Sequence, residues 1–444
     1  MTPKTNLVSK EIDLNNLIDN HAVLEIISTL RRHGYETYLV GGAVRDLLID
    51  RPPKDYDVST SATPEKIKEI FSKRRARIIG RRFKIVHVRA GEQIIEVSTF
   101  RRNPSRTEIE EDDKELEDIR TEEEQTHETE DEDYSASEHV HHHKHHHKHY
   151  EHADSTALIL RNDNEYGNAY EDAWRRDFTV NAIFYDPVKK LVIDYTSLGL
   201  KDLENKVVRV IGDPRLRYSE DPVRMLRALK LVGQYGFSME EYTQSALLEM
   251  QQSIRFASNS RLSLELEKIL KKPYAHSILN TFNEYGFLAH FLPNFNSAFQ
   301  TKEAQLSMQL LKTRCDLIDQ EIIPDYLTNA MSAMALRFIA SEFAGNPENA
   351  TFYYEHDKKK PMRRVLRSVF FPLNFQRCMV CEAVDAIFML NKLFSKDKPH
   401  KVRKHRSFYS ALDLALIVNN CLLKDESFEP FWEKTLSKHT SKHN

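Results

Sequence analysis

Residues 54–60 read KDYDVST and place two aspartates, Asp55 and Asp57, one residue apart in a run that favours a β-strand. Side chains at i and i+2 of a strand point to the same face, so these carboxylates should repel each other unless a cation lies between them. Mg²⁺ is commonly bound by one or two carboxylates together with substrate phosphates. The alternative is a solvated Asp-x-Asp without a ligand, and the surrounding sequence decides between the two.

A candidate phosphate-binding turn precedes the two aspartates. Gly41 and Gly42 lie between a predicted strand, Tyr35–Val40, and a predicted helix, Ala43–Ile49. Glycines let the backbone approach a ligand closely, and a helix start offers free N–H groups to a phosphate. A third carboxylate, Glu96, lies in QIIEVSTF on another predicted strand. Together these features favour a nucleotide site with two Mg²⁺ ions over an ordinary turn and a solvated edge glutamate.

The neighbouring patterns predict a small α/β domain. Residues 21–34 show helical spacing of apolar residues, and TPEKIKEIFSK predicts a helix that Thr63 caps. Residues 76–101 predict two strands joined at Ala90-Gly91, and a further strand is predicted at 179–185. From about residue 201 the chain is almost wholly helical. The predicted fold is therefore α+β, with a sheet-bearing head followed by an elongated helical body.

The charge of the 444-residue chain is unevenly distributed. Residues 108–138 contain 17 acidic and two basic residues, a local charge of −15 against −3 overall, so the remainder carries +12. A basic body suggests a polyanionic partner. The acidic run and the following HVHHHKHHHKHYEH predict a disordered insertion at 104–155. The insertion is expected to act as a spacer or to bind metal ions through its histidines. Such binding would be loose, because no fixed ligand spacing is present.

Other features exclude several classes of protein. The N-terminus has no apolar signal segment, and no apolar run approaches the ~18–20 residues of a membrane span. Four cysteines in a chain of this length do not suggest a disulfide scaffold, which favours a cytosolic setting. Cys378 and Cys381 form a CxxC without a partner pair inside an apolar helical run, so both are predicted to pack in a core.

Four segments in order resemble the class II nucleotidyltransferase family, which contains the tRNA CCA-adding enzymes and the bacterial poly(A) polymerases. They are LVGGAVRD (39–46), KDYDVST (54–60), EVSTFR (96–101) and EDAWRRDFTVNAIFYD (171–186). Together with the motif at 219–230 they cover residues about 20–275. The resemblance implies a palm-like mixed-sheet head at 20–103 plus 156–200. It further implies a helical neck at 201–275, with base recognition and RNA binding, and a helical body and RNA-binding tail at 276–444.

The resemblance also implies roles for individual residues. Asp55 and Asp57 are expected to be catalytic Mg²⁺ ligands, and either Glu96 or Asp177 is expected to be the third catalytic carboxylate. The expected nucleotide-binding residues are Gly41, Gly42, Arg45, Asp46, Arg176, Asp177, Asp221 and Arg224.

The last two nucleotide-binding candidates lie in SEDPVRMLRALK (219–230). Asp221 and Arg224 are i and i+3, which predicts neighbours on one helix face. In the family this EDxxR motif forms a protein template that hydrogen-bonds the edge of the incoming base. A surface ion pair is the plain alternative.

Two further segments resemble the poly(A) polymerase branch, namely IIGRRFKIVHV (78–88) and, more loosely, RSFYSALDLALI (406–417). The predicted function is therefore the addition of AMP from ATP to RNA 3′ ends. One alternative is a CCA-adding or A-adding tRNA nucleotidyltransferase, which would use CTP or stop after a defined end. An inactive RNA-binding or metal-buffering protein with the same fold is the other alternative.

Two basic clusters, at 357–367 and 395–406, are predicted to track an RNA backbone, while Phe408 and Tyr409 would stack a base. Solvated charge is the alternative. The candidate RNA-binding residues are Arg363, Arg364, Lys401, Arg403, Lys404 and Arg406. The resemblance implies a cytoplasmic bacterial monomer whose partners are RNA 3′ ends, ATP and RNA-decay proteins, without a membrane.

Overall fold

The computed structural model describes residues 7–80, 84–91, 93–102, 165–343 and 358–440. The chain divides into two compact units, Met1–Leu203 and Glu204–Asn444. The predicted insertion at 104–155 lies outside the described residues.

An eight-stranded mixed sheet forms the centre of the first unit. Its strands are β1 (Val8–Glu11), β2 (Thr37–Val40), β3 (Asp57–Thr60), β4 (Ala76–Ile79), β5 (Ile85–Ala90), β6 (Gln93–Thr99), β7 (Ile183–Asp186) and β8 (Leu191–Asp194). Their spatial order is β1-β8-β7-β2-β3-β6-β5-β4. Strands β3 and β6 pair in parallel, and the other described pairs of this sheet are antiparallel.

The helices described in the same unit are α1 (His21–Arg32), α2 (Gly42–Leu48), α3 (Pro64–Arg75) and α4 (Ala169–Arg175), and α5 (Gly199–Glu204) lies at its end. The predicted cap of α3 is confirmed, because the Thr63 side chain accepts a hydrogen bond from the Lys66 backbone N–H. Helix α4 begins with a reciprocal capping box between Asn168 and Glu171. Alternation along β5 and β6 buries Val86, Val88, Ile95 and Val97 in the core.

The sheet has more strands than the sequence patterns predicted. The first of the two strands predicted within 76–101 is divided into β4 and β5, which pair with each other, and Gly80 after β4 has a φ of +85°. A positive φ departs from the extended backbone of a regular strand, so the run is interrupted at this glycine. The strand predicted at 179–185 begins only at Ile183, since Thr179–Asn181 form a 3₁₀ turn. Edge strand β1 was not predicted, because all four of its residues are exposed and give no apolar signal.

The described residues on either side of the insertion lie next to each other. The Arg102 N–H donates to the Glu165 carbonyl at 3.0 Å, and the Gly167 N–H donates to the Phe100 carbonyl at 2.9 Å. The Arg102 guanidinium also pairs with the Glu165 carboxylate at 2.8 Å. These contacts hold the two ends of the insertion together. The entropic cost of closing the chain between them rises only slowly with its length.

The second unit is almost wholly helical. Its helices are α6 (Pro214–Glu220), α7 (Val223–Tyr235), α8 (Glu241–Met250), α9 (Asn259–Leu270), α10 (Ala275–Glu284), α11 (Leu288–Phe291), α12 (Pro293–Ser297), α13 (Lys302–Asp319), α14 (Leu327–Glu342), α15 (Lys359–Val369), α16 (Arg377–Phe394), α17 (Pro399–Val402), α18 (Phe408–Val418) and α19 (Phe428–Thr440). Two short strands, β9 (Val207–Val208) and β10 (Ser238–Met239), pair in parallel. None of the helices in the described ranges has the length and apolar composition needed to cross a membrane.

The predicted core position of the CxxC is wrong. Cys378 is exposed and Cys381 is half-buried, both near the start of α16. The buried stripe of this helix begins at Val380 and continues through Ala383, Val384 and Ile387. Cys378 precedes that stripe, so the apolar composition of the run does not place it in the core.

The anchored ends of the insertion generate a stability prediction. We expect a variant lacking residues 104–155 to unfold within a few degrees of the full chain, since the pairing of Arg102 with Glu165 is retained. Thermal unfolding followed by circular dichroism measures this difference. A matched control replaces 104–155 with a Gly/Ser segment of equal length. A deletion that unfolds much earlier than this control would show that the insertion contributes to the folded core.

Candidate functional site

The Asp-x-Asp segment presents both carboxylates to solvent around a buried tyrosine. Asp57 begins β3, whereas Asp55 lies in the bend before it, so the predicted strand starts later than expected. Both aspartates are exposed, while Tyr56 between them is buried. The Tyr56 hydroxyl donates to Asp19 Oδ1 at 2.6 Å. Burial, followed by this hydrogen bond, raises the pKa of Tyr56, so the phenol stays protonated and anchors the segment.

Parallel pairing of β3 with β6 brings Glu96 beside Asp57. The two residues are direct register partners, so their side chains share one face of the sheet. Glu96 is exposed, and its Oε1 lies 3.4 Å from Nε2 of His87 on the next strand. Among the described residues, no group of three or more His, Cys, Asp or Glu side chains is arranged as a metal cluster. Glu96 is therefore a neighbour of the aspartates in register rather than part of a closed ligand cage.

Gly41 and Arg176 lie next to each other, close to Asp57 at the start of β3. Gly41 has a φ of +76°, and a Cβ atom there would lie 3.2 Å from Arg176 Nη1 and 4.0 Å from Asp57 Oδ2. Arg176 Nη2 donates to Asp172 Oδ2 at 2.9 Å and to Ser59 Oγ at 3.2 Å. Only glycine combines this backbone conformation with the close approach of a guanidinium.

The remaining head candidates form a hydrogen-bonded network that the sequence did not predict. Arg45 is buried and donates to Asp46 Oδ1 at 2.7 and 2.9 Å and to Asn181 Oδ1 at 2.6 Å. Asn181 Nδ2 in turn donates to Asp177 Oδ1 at 3.2 Å, and this oxygen also accepts the Phe178 N–H at 2.8 Å. Arg45 and Asp177 thus fix the 177–181 turn, and the nucleotide-binding role expected of both residues stays a prediction.

Three participants were missed by sequence reasoning, namely Ser59, Asp172 and Asn181. Asp172 is buried and accepts hydrogen bonds from Arg176 and from the Arg101 N–H. Its spacing of four residues from Arg176 on the end of α4 was the available signal. Asn181 stands four residues after Asp177, but a polar residue in FTVNAIF gives no indication of its partner.

The base-template candidates in the second unit are arranged differently from the prediction. Asp221 has φ −151° and ψ 95° and lies between α6 and α7, so Asp221 and Arg224 do not share a helix face. Pro222 explains the break, because proline disfavours a helical conformation in the residue before it. Asp221 accepts two hydrogen bonds from Arg261, at 2.8 and 2.9 Å, and Arg224 donates to Glu220 Oε2 at 2.7 Å.

The two basic clusters meet at one buried carboxylate. Asp385 of α16 accepts Lys359 Nζ at 2.7 Å and Arg406 Nη2 at 2.9 Å. Burial alone would raise the pKa of Asp385, but the Lys359 and Arg406 ion pairs lower it below its ordinary value. Of the aromatic pair predicted to stack a base, Tyr409 is 62% exposed whereas Phe408 is 1% exposed and packs on Trp432. The stacking role predicted for Phe408 is therefore wrong.

The candidate RNA-binding side chains differ in their exposure, and Arg406 is the one among them with a contact to Asp385 in the described residues. Arg406 is 78% exposed at its side chain despite the ion pair. Arg364, Lys401 and Lys404 are exposed, whereas Arg363 and Arg403 are half-buried. The Arg363 guanidinium lies 3.8 Å from Cys381 Sγ.

Solved structures share this fold. The CCA-adding enzyme of Bacillus stearothermophilus, solved in complex with CTP, superposes with a TM-score of 0.57 at 23% identity, covering 95% of this chain and 82% of that one. A mixed-sheet head followed by helices is thus an architecture already known from a solved protein.

Sequence comparisons identify the family. Residues 37–209 match the poly A polymerase head domain, and residues 236–299 match the family described as a probable RNA and SrmB-binding site of polymerase A. Poly(A) polymerase I of Haemophilus influenzae is 32% identical over 72% of this chain and 62% of its own length. A CCA-adding enzyme of Geobacillus is 34% identical over 60% of this chain and 53% of its own length.

The chain therefore belongs to the family of bacterial poly(A) polymerases and CCA-adding enzymes, and it spans less than two thirds of the length of these relatives.

The geometry at Gly41 generates a prediction. Gly41→Ala should lower the affinity for a nucleoside triphosphate and the transfer rate by at least about tenfold, because the new methyl group would displace Arg176. Isothermal titration with ATP and a single-turnover assay measure the two effects.

Gly34→Ala is the matched control. Gly34 has a φ of +87°, yet nothing lies within 4 Å of the position of its Cβ. Both variants carry the backbone strain of a non-glycine residue, about 1 kcal/mol in the free energy of unfolding. Equal losses of nucleotide binding in the two variants would contradict a specific role for the space beside Gly41.

Proposed function

We propose that this chain is a nucleotidyltransferase that adds AMP from ATP to RNA 3′ ends. The observation that carries the proposal is the register of Asp57 with Glu96 beside Gly41 and Arg176. This arrangement supplies carboxylates for a metal ion and, next to them, a guanidinium for a phosphate.

The exposed carboxylates fit a hard divalent cation. Asp55 and Asp57 would hold Mg²⁺, and Glu96 rather than Asp177 is the better candidate for the third carboxylate. Glu96 is exposed and in register with Asp57, whereas Asp177 is buried and fixes the 177–181 turn. When bound, Mg²⁺ would supply charge stabilisation to the reacting phosphate and lower the pKa of the attacking hydroxyl.

The protein's own groups then orient the triphosphate. Arg176 is held by Asp172 and Ser59, so its guanidinium needs little reorganisation to face a phosphate near Gly41. The Arg45–Asn181–Asp177 network links α2 to the segment that carries Arg176. We assign Arg45 and Asp46 a positioning role, in which they support the glycine turn.

Base selection is assigned to Asp221 and Arg224. Two hydrogen bonds from Arg261 fix the Asp221 carboxylate, and Glu220 fixes the Arg224 guanidinium. Such preorganised acceptors and donors suit the edge of a purine base, because little side-chain entropy is lost on binding. Arg261 is therefore a positioning residue that the sequence motif does not contain.

Adenylation of RNA is favoured over CCA addition by the extent of the similarity. The Haemophilus poly(A) polymerase aligns over 72% of this chain, and the Geobacillus CCA-adding enzyme aligns over 60%. We further propose that the cations around Asp385 bind the RNA backbone and that the chain works as a cytoplasmic monomer with RNA-decay proteins. CCA addition remains the second candidate.

Removal of one carboxylate tests the catalytic assignment. Asp55→Asn should reduce the rate of nucleotide transfer by at least about 10³-fold, because the amide no longer neutralises a divalent cation. Asp50→Asn is the control, since Asp50 is an exposed aspartate near the same segment. Near-normal transfer by Asp55→Asn in a gel-based extension assay would contradict the assignment.

Nucleotide choice tests the base-selection assignment. Arg261→Ala should lower the preference for ATP over CTP by about five- to tenfold, because the Asp221 carboxylate loses its bidentate partner. Arg255→Ala removes another exposed arginine of the same unit and serves as the control. Competition between ATP and CTP at equal concentration gives the ratio, and equal ratios in both variants would refute a role for Arg261.

A further inference from the structure

A cationic cleft lies at the β4 edge of the sheet, away from the glycine turn. It has a volume of about 570 Å³, and its cationic lining consists of Lys68, Lys73, Arg74, Arg75, Arg77 and Arg89. None of its described lining residues is acidic. Arg75 is partly neutralised by Glu25 at 3.2 Å, while Lys73, Arg74 and Arg77 form no ion pair within the described residues. The cleft therefore suits a ligand with several negative charges.

One row of paired residues across the sheet connects the cleft with the catalytic carboxylates. Asp57 pairs with Glu96, Glu96 with His87, and His87 with Arg77, so the four side chains share one face across β3, β6, β5 and β4. With strands about 4.8 Å apart, Arg77 lies roughly 15 Å from Asp57. This row gives a chain molecule a direct route from the cleft to the catalytic carboxylates.

The lining of the cleft also contains apolar side chains. Ile79 and Ile94 belong to the lining of the cleft, and they are 39% and 60% exposed. Charge alone would suit any anion, whereas exposed aliphatic surface next to cations suits a ligand with both phosphates and flat bases.

Backbone strain marks the segment that supplies three of the cations. Ser72 has φ 66° and ψ 158°, a conformation that is nearly confined to glycine. It stands inside α3 immediately before Lys73, Arg74 and Arg75, and it redirects the chain from the helix towards β4. Strain of this kind persists where the surrounding structure or a function requires it.

We infer that this cleft binds the phosphate backbone of the RNA strand behind its reacting 3′ end, an inference that rests on the proposed function. In an in-line transfer the attacking and leaving oxygens lie on opposite sides of the phosphorus atom. Gly41 and Arg176 place the leaving pyrophosphate on the β2 side of Asp57. The attacking strand therefore enters from the β6 side, where the row leads to Arg77.

Charge reversal of Lys73→Glu with Arg77→Glu tests this inference in the full chain. Both residues are exposed, so the fold should be retained. We expect about tenfold weaker binding of a single-stranded RNA of about 20 nucleotides. The slope of log affinity against log salt should become shallower by about 1.4, for two lost phosphate contacts. Extension of a dinucleotide primer and the KM for ATP should stay unchanged, because neither reaches the cleft.

Lys189→Glu with Lys201→Glu is the matched control, because both lysines are exposed in the same unit and the change in net charge is identical. RNA binding is measured by fluorescence anisotropy without ATP, so the result stands even if the chain transfers no nucleotide. Equal losses in the two variants, or no loss in either, would overturn the inference. Tighter RNA binding by the cleft variant would indicate that the acidic run of this chain occupies the cleft, and it would also overturn the inference.

Discussion

Parallel pairing of β3 with β6 is the interaction on which the candidate site of the first unit depends. It fixes Glu96 next to Asp57, and Asp55, Asp57 and Glu96 are all exposed. The hydrogen bond from Tyr56 to Asp19 anchors the segment that carries the two aspartates. In the proposed function, these carboxylates would bind a divalent cation.

Different residues lie on the two sides of the carboxylates along the sheet. On the β2 side, Gly41 leaves space beside Arg176, and the Arg45–Asn181 hydrogen bond ties α2 to the turn that follows Arg176. On the β6 side, the sheet stays open and becomes cationic towards Arg77. An in-line transfer needs this division, because pyrophosphate leaves opposite the attacking oxygen.

Local patterns predicted the parts of the molecule that depend on neighbours in the chain. The Thr63 cap, the glycine turn and the exposed aspartates around Tyr56 follow from local side-chain chemistry. The β3–β6 register, the bond from Arg45 to Asn181 and the bond from Arg261 to Asp221 join residues about 40 or more positions apart, which periodicity cannot show. Apolar composition misplaced Cys378, because one composition serves both faces of a helix. The neighbouring basic cluster misplaced Phe408, which packs on Trp432 instead.

The product formed from each nucleotide tests the proposed function most directly. The pure chain would be incubated with Mg²⁺, a generic RNA without tRNA structure, and either ATP or CTP. The proposed adenylation of RNA predicts long ladders with ATP and little extension with CTP. Addition of only one to three nucleotides, with a requirement for CTP or for tRNA, would contradict it and would assign the chain to CCA addition.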